Sequence, residues 1–403
     1  MQKIQNDIST LFVSGRKSSQ YKNVIKYFIT NGDTTIPELA KGLDVSVPTI
    51  TKIVNELVQN NFVAEVGKKE NISGRLPMLY NLNPTSGYFI GVDSGHSSIN
   101  LGMINFSGEE VYSKINVPFH IENSLESLDN FVSLVLDFID ETGIEKDKIL
   151  SVCVNISGRV NPDTGNSYNT FNCTEKPLAD VLSDKTGLTV YIDNDTRAMA
   201  YGELLKGCAK GEKNVIFVNV SWGIGIGIII DGKIYKGKSG FSGELGHMKM
   251  YDNEILCHCG KKGCMETEVS GMALLRNLIK RIEDGELSIL SEKVKTDKKN
   301  IVLNDIISAI NKEDFVCIDA LERMADELGK NLAGVINIFN PDMLVIGGDL
   351  SVTGDYVTQP VRMAIKKYSL NLVNEDSKIV TSELKDRAGL VGACLIARST
   401  MFK

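Results

Sequence analysis

Apolar residues recur with a period near 3.6 along the first sixty positions. Tyr21, Val24, Ile25, Phe28 and Ile29 fall at i, i+3, i+4, i+7 and i+8 and predict one helix, ended by Asn31-Gly32-Asp33. Thr35, with Glu38 three residues on, reads as a capping box that opens a short helix with Ile36, Leu39, Ala40 and Leu43 inward. A turn at Gly42 to Asp44 and a cap at Ser46 predict a third helix. There Ile50, Ile53, Val54, Leu57 and Val58 point inward and Thr49, Thr51, Lys52 and Asn55 outward. The period then changes to two over Phe62 to Val66 and Met78 to Leu82, which predicts two strands flanking a wing from Gly67 to Pro77.

Three helices, a tight turn before the third and a hairpin together predict a winged helix-turn-helix over residues 1–82. Ser46, Thr49, Thr51, Lys52 and Asn55 suit a major groove, and Arg75 on the wing suits a narrow minor groove. The competing reading is a small helical bundle with a solvated face.

The remainder, residues 83–403, alternates strands and helices. Phe89 to Phe106, turning at Ser107-Gly108 and resuming at Glu109 to Tyr112, is echoed by Val215 to Ile230, turning at Asp231-Gly232 and resuming at Lys233 to Tyr235. Duplication of a strand-turn-strand unit predicts a two-lobed α/β body with a cleft, its lobes at about 83–193 plus the C-terminal helix and at 194–385. Leu125 to Glu141, Val316 to Phe339 and Asp386 to Ala397 read as helices. Leu287 to Lys312 reads as an insertion, because Ile301, Leu303, Ile306, Ile307 and Ile310 keep helical spacing.

Composition adds a charge contrast. Residues 1–80 hold ten Lys or Arg against seven Asp or Glu, in a chain of net charge −7, so a mildly basic head precedes an acidic body. No apolar run reaches the roughly 20 residues of a membrane span and no signal peptide is evident, so the expected place is the cytoplasm, with no membrane partner. In that reducing compartment Cys153, Cys173, Cys208, Cys317 and Cys394 read as buried small hydrophobes.

The other three of the eight cysteines and two of the four histidines fall within eighteen residues: His247, Cys257, His258, Cys259 and Cys264. Thiolate and imidazole are ligands that Zn²⁺ prefers, and Cys-x-Cys-x4-Cys on glycine-punctuated backbone can wrap them around one ion. Glu244 and Glu266 are interleaved with them, and a structural zinc needs neither.

Gly243-Glu244-Leu245-Gly246-His247, Cys257-x-Cys259-Gly260-x-x-Gly263-Cys264-x-Glu266, Asp193-Asn194-Asp195 and Ile346-Gly347-Gly348 together resemble the ROK family of repressors, open reading frames and kinases. With a winged helix in front, the chain resembles its sugar-responsive repressor branch. The resemblance implies an actin-like, ribonuclease-H-related fold and a structural Zn²⁺ on His247, Cys257, Cys259 and Cys264, with His258 pointing away. It also implies sugar contacts from Asn194, Asp195, Glu244, His247 and Glu266, with Ser157-Gly158 in the place of a further sugar loop. Asn155 to Arg159 departs from the family's Gly-Pro-Gly there. Carboxylates, an amide and an oriented imidazole suit a polyol.

In family kinases Asp195 would be the general base. The phosphate-binding turns, however, are altered. His96 and Ser98 stand in the Asp93-Ser94-Gly95-His96-Ser97-Ser98 turn where the kinases carry Gly and Lys, and Ile224 replaces Thr between Gly223 and Gly225. The expected protein is thus a sugar-responsive regulator, not an enzyme, with a vestigial base at Asp195. Its expected partners are operator DNA, a sugar or sugar phosphate, and copies of itself in a homodimer or homotetramer. An active sugar kinase with a DNA-binding head is the alternative. A third reading is a repressor governed by a protein that covers the head.

Overall fold

The computed structural model describes residues 16–68 and 77–402. Arg75 and the tip of the expected wing lie outside them. Helices run Arg16–Asn31, Ile36–Leu43 and Val47–Gln59, and Tyr21, Val24, Ile25, Phe28, Leu39, Ile50, Ile53, Val54 and Leu57 are buried as the apolar spacing requires. The capping box is present: Thr35 N donates to Glu38 Oε2 at 3.0 Å and Glu38 N donates to Thr35 Oγ1 at 3.4 Å.

Two local expectations need correction. Ser46 precedes the third helix, but its hydroxyl lies 2.8 Å from the Thr49 hydroxyl and makes no hydrogen bond to the backbone, because the neighbouring side chain offers a nearer partner. In the turn before it, Asp44 takes the left-handed conformation, at φ 53°, and Gly42 is still helical. Gly42 is small for another reason: a Cβ there would come within 2.2 Å of the Tyr27 ring.

Strands Val63–Lys68 and Met78–Leu82 pair antiparallel, and a bridge from Thr34 to Tyr80 seats this hairpin on the turn between the first two helices. Among the described residues no helix is long and apolar enough to cross a membrane.

Two compact units follow. One takes the chain up to Ile156, Thr164–Ile192 and the chain from Ala393 on; the other takes Ser157–Asp163 and Asp193–Gly392. The first contains a five-stranded sheet in the order Glu110–Pro118, Ser98–Asn105, Tyr88–Ser94, Ile149–Ile156, Val190–Asn194. The second repeats that plan as Lys233–Ile234, Ile224–Ile230, Val215–Val220, Met343–Gly347, Lys378–Thr381. In each, an antiparallel meander comes first and a later strand joins its first strand in parallel, which is the duplication visible in the sequence.

The helical head belongs to the first unit. Phe62, at the start of its hairpin, lies 5.7 Å from the Phe106 ring, which in turn meets Phe89 and Phe402 at 6.1 and 5.8 Å. Such tilted and edge contacts add to the area these rings bury.

In the second unit both faces of the sheet are covered, so its central strand reads as an unbroken apolar run. Val215 and Phe217 pack with Ala200 and Leu204 of the helix Asp195–Lys206. Ile216, Val218 and Val220 face the opposite core, with Leu328, Leu332 and Ile336 of the helix Phe315–Phe339. The Leu287 to Lys312 stretch folds as helices Ser291–Asp297 and Leu303–Asn311, and its Leu290, Val294, Ile306 and Ile310 join this same core.

The last helix, Ala388–Met401, carries small residues because backbone approaches it closely: a Cβ at Gly392 would stand 1.8 Å from Ala198 O. Gly392→Ala is expected to lower stability by about 1–3 kcal/mol, since the carbonyl cannot yield as a side chain can. Gly334→Ala, in a helix and with nothing within 4 Å, should instead be neutral or stabilising by up to about 1 kcal/mol. Urea unfolding of the two variants beside the parent checks both.

Candidate functional site

The residues that sequence comparison singled out for a polyol, Ser157, Gly158, Asn194, Asp195, Glu244, His247 and Glu266, all fall in the second unit. Two backbone contacts set the wall that bears Glu244 and His247. A Cβ at Gly243, where φ is 92°, would come within 2.0 Å of Ile226 O, and one at Gly246 within 2.5 Å of Ile224 O. Only glycine lets the turn lie this close to the strand Ile224–Ile230, and Ile226 N donates to Gly243 O at 3.1 Å to hold it there.

His247 then faces two ways. Its Nδ1 lies 3.6 Å from Cys257 Sγ and its Nε2 lies 3.6 Å from Glu244 Oε2. Burial pushes the Glu244 carboxyl above its ordinary range, with His247 and Arg159 opposing.

His247, Cys257, Cys259 and Cys264 form one cluster that could hold a metal, with all four ligand atoms within 4.8 Å of one another, and His247, His258 and Glu266 form a second that overlaps it. Cys259 Sγ and Cys264 Sγ are 3.6 Å apart. A tetrahedral zinc with ordinary bond lengths would separate its sulfur ligands by about 3.8 Å and a sulfur from a nitrogen by about 3.5 Å. The donor set and spacing fit such an ion.

His258 does not point away, as the resemblance implied. Its Nδ1 sits 2.8 Å from Glu266 Oε1, and its ring meets that of His247 at 5.0 Å. The cause is Glu266, which is only 4% exposed and draws a donor towards it. On its other oxygen Glu266 accepts the Ile224 N–H at 3.1 Å. Burial works against this charge, yet the His258 bond and the Ile224 N–H outweigh it and hold the carboxyl below its usual range.

Asn194 is the N-cap of the helix Asp195–Lys206. Its oxygen accepts Arg197 N at 3.0 Å and its amide donates to Gly158 O at 3.1 Å and Asp195 Oδ1 at 2.9 Å. Asn194 thereby fixes the Gly158 loop and Asp195 together. Asp195 Oδ1 also receives Thr196 N at 2.6 Å. Burial nevertheless pushes its carboxyl above the ordinary value, against hydrogen bonds from Thr196 and Ser157.

Sequence reading missed Arg197, which organises this region. The side chain is buried, with Nε donating to Asp193 Oδ1 at 2.7 Å, one terminal nitrogen to Val160 O at 3.2 Å and the other to Gly240 O. The signal available was the i, i+4 pairing with Asp193. Arg159 was also missed; its charge acts on Glu244 and on His258.

The turns compared with phosphate loops are engaged internally. Gly95 N donates to Ser98 O at 2.9 Å, and His96 lies exposed with its ring 6.0 Å from His120. A Cβ at Gly223 would come within 2.7 Å of Glu266 Oε2, while Gly348, at φ 82°, is pressed on Asn219 Oδ1. Both glycines therefore have a packing reason.

In the head, the exposed stripe of the third helix is Pro48, Lys52, Asn55 and Gln59. Thr49 and Thr51 are half-buried at its border, and Thr51 donates to Val47 O at 2.8 Å. Ser46 is exposed at its start. Pro48 and Gln59 were not anticipated.

A winged-helix type of head and two repeated α/β sheets define the class: an actin-like fold carrying a DNA-binding type of head. The chain belongs to the ROK family, whose model matches residues 89–400. It is 30% identical over 387 residues to the xylose repressor of Caldicellulosiruptor bescii, covering 94% of this chain and 95% of that one. Among solved structures it resembles a ROK family transcriptional regulator, a homologue of the E. coli MLC protein, with a TM-score of 0.78, 28% identity and coverage of 95% and 96%. A ROK family glucokinase from Streptomyces griseus, in complex with glucose and AMPPNP, matches 77% of this chain and 99% of its own, with a TM-score of 0.67 and 26% identity.

Arg197→Met would leave the buried Asp193 carboxylate with the Asn194 N–H at 2.8 Å and, for a counter-charge, the more distant Lys236, 3.8 Å away. Losing one member of a buried ion pair is expected to cost about 3–5 kcal/mol, measured by urea unfolding at pH 7.

Proposed function

We propose that this protein is a sugar-responsive transcriptional regulator of the repressor type. Residues 1–82 bind operator DNA through Ser46, Thr49, Thr51, Lys52 and Asn55, with Arg75 of the wing in the minor groove. Residues 83–403 bind a sugar or sugar derivative through Ser157, Gly158, Asn194, Asp195, Glu244, His247 and Glu266. A polyol needs several acceptors and donors held in place, because each buried hydroxyl left unpaired is costly. Asp195 and Glu244 present carboxylates for this, and His247 Nε2 is turned towards Glu244.

His247, Cys257, Cys259 and Cys264 hold Zn²⁺, which with four protein ligands serves a structural role. With Nδ1 committed to the metal side, His247 keeps a fixed tautomer whose other nitrogen faces the polyol. The assembly is a homodimer or homotetramer reading two half-sites, and DNA binding places it in the cytoplasm.

The observation that carries this reading is the contrast between an intact polyol set and phosphate turns turned to other use. Glu266 already takes the Ile224 N–H of the second turn, and His96 and Ser98 stand in the first. Phosphoryl transfer depends on positioned donors at the phosphates, so a base without them transfers nothing.

The test is operator binding at fixed salt, followed by fluorescence anisotropy, with D-xylose, D-glucose and N-acetylglucosamine and their phosphates added. One of them should shift operator affinity by at least about fivefold, the lower end of ordinary couplings. Unchanged affinity with all of them defeats the reading. The preserved Asp195 favours a kinase as the second reading. ADP release with the same sugars that disappears in Asp195→Asn would establish that one instead.

Elemental analysis should find one zinc per chain. In Cys259→Ser both the zinc and sugar binding should be lost, because the loop and the His247 ring lose their anchor.

A further inference from the structure

We propose that His258 is a positioning residue of the sugar site, holding the Glu266 carboxylate through its Nδ1–H. The inference rests on the sugar-site reading above and adds a residue to it. In the sequence His258 is only a spacer between two cysteines of the metal cluster. In the structure it is the donor to one oxygen of a buried carboxylate, 2.8 Å away, while the Ile224 N–H holds the other at 3.1 Å.

The terminal torsion of a glutamate is broad and nearly two-fold, so packing alone fixes its plane poorly. Two donors, one on each oxygen, do fix it. On that second side a Cβ at Gly223 would stand 2.7 Å from Oε2, so glycine there leaves the carboxylate its room. Cys257 Sγ is 3.7 Å from Oε1, but a thiolate committed to a metal has no hydrogen to give. Among the described residues that leaves His258 as the side chain that donates to Oε1.

Each carboxylate oxygen keeps further lone-pair capacity, so the fixed carboxylate remains an acceptor for ligand hydroxyls. The ligand group it selects is a free hydroxyl that donates, and an ether or acetal oxygen at the same place is refused. The His258 ring is itself half in solvent, and its edge contact with His247 places it beside the imidazole of the polyol wall.

Three versions of the full chain test this: the parent, His258→Leu, which removes the donor, and His258→Asn, whose amide nitrogen reaches the position of Nδ1. Long-range ¹H–¹⁵N spectra of the parent, assigned by difference from His258→Asn, should show His258 protonated at Nδ1. A bare Nδ1 overturns the proposal whatever binds. Calorimetric titration with D-xylose, D-glucose and N-acetylglucosamine should find the sugar that the parent binds weakened about tenfold or more in His258→Leu, the weight of a hydrogen bond to a charged group. In His258→Asn it should recover to within about threefold of the parent, a residue being kept for geometry that an amide does not fully copy.

Zinc should remain at one per chain in all three. Equal sugar affinity in His258→Leu overturns the proposal, as does loss of zinc in that variant, which would make His258 a support of the metal loop. A parent that binds none of the three sugars sinks the sugar-site reading and this inference together. That failure shows in the parent, not in the variants, so the two are told apart.

Discussion

Two strand carbonyls, Ile226 O and Ile224 O, set the position of everything chemical in the second unit. Gly243 and Gly246 lie against them at distances that admit no Cβ. A backbone pressed flat on a strand has only one free side, so Glu244 and His247 project from it together. Because His247 points one ring nitrogen at Cys257 and the other at Glu244, the cysteine loop and the proposed sugar wall share a single imidazole. A change in either is felt by the other, which is the usual relation of a metal ligand to the groups behind it.

Glu266 makes a second junction of the same kind. It joins the cysteine loop, through His258, to the backbone of the second glycine turn, through Ile224 N. One N–H of the turn that resembles a phosphate loop is therefore already taken by a carboxylate, the kind of group that phosphate would have to displace. Buried donors that already have an ionised partner are poor sites for another anion.

The helical head is joined to the rest of the first unit by aromatic contacts, Phe62 with Phe106 and Phe106 with Phe89 and Phe402. The residues proposed to bind the sugar belong to the second. A ligand held by one unit alters what the other does only so far as it binds two states of the protein unequally. Tight binding alone would change nothing.

The sequence by itself determined much. Periods of 3.6 and 2.0 placed the three head helices and the hairpin, because burial of one face forces those spacings. The repeated strand-turn-strand pattern announced two sheets of like topology. The cysteine and histidine spacing marked the cluster that could hold a metal, since local chain length limits which thiols can meet. Only the tertiary structure decided the rest. Ser46 bonded to Thr49 instead of the helix backbone because side-chain competition is settled by actual distances. Gly42, Gly223 and Gly392 proved small because of what packing sets across from them, Tyr27, Glu266 and Ala198. Arg197 and His258 acquired partners that no local pattern displays, Gly240 and Val160 for the one and Glu266 for the other. Hydrogen bonds between distant segments are fixed by how the sheets and loops pack, and packing is where the sequence alone is silent.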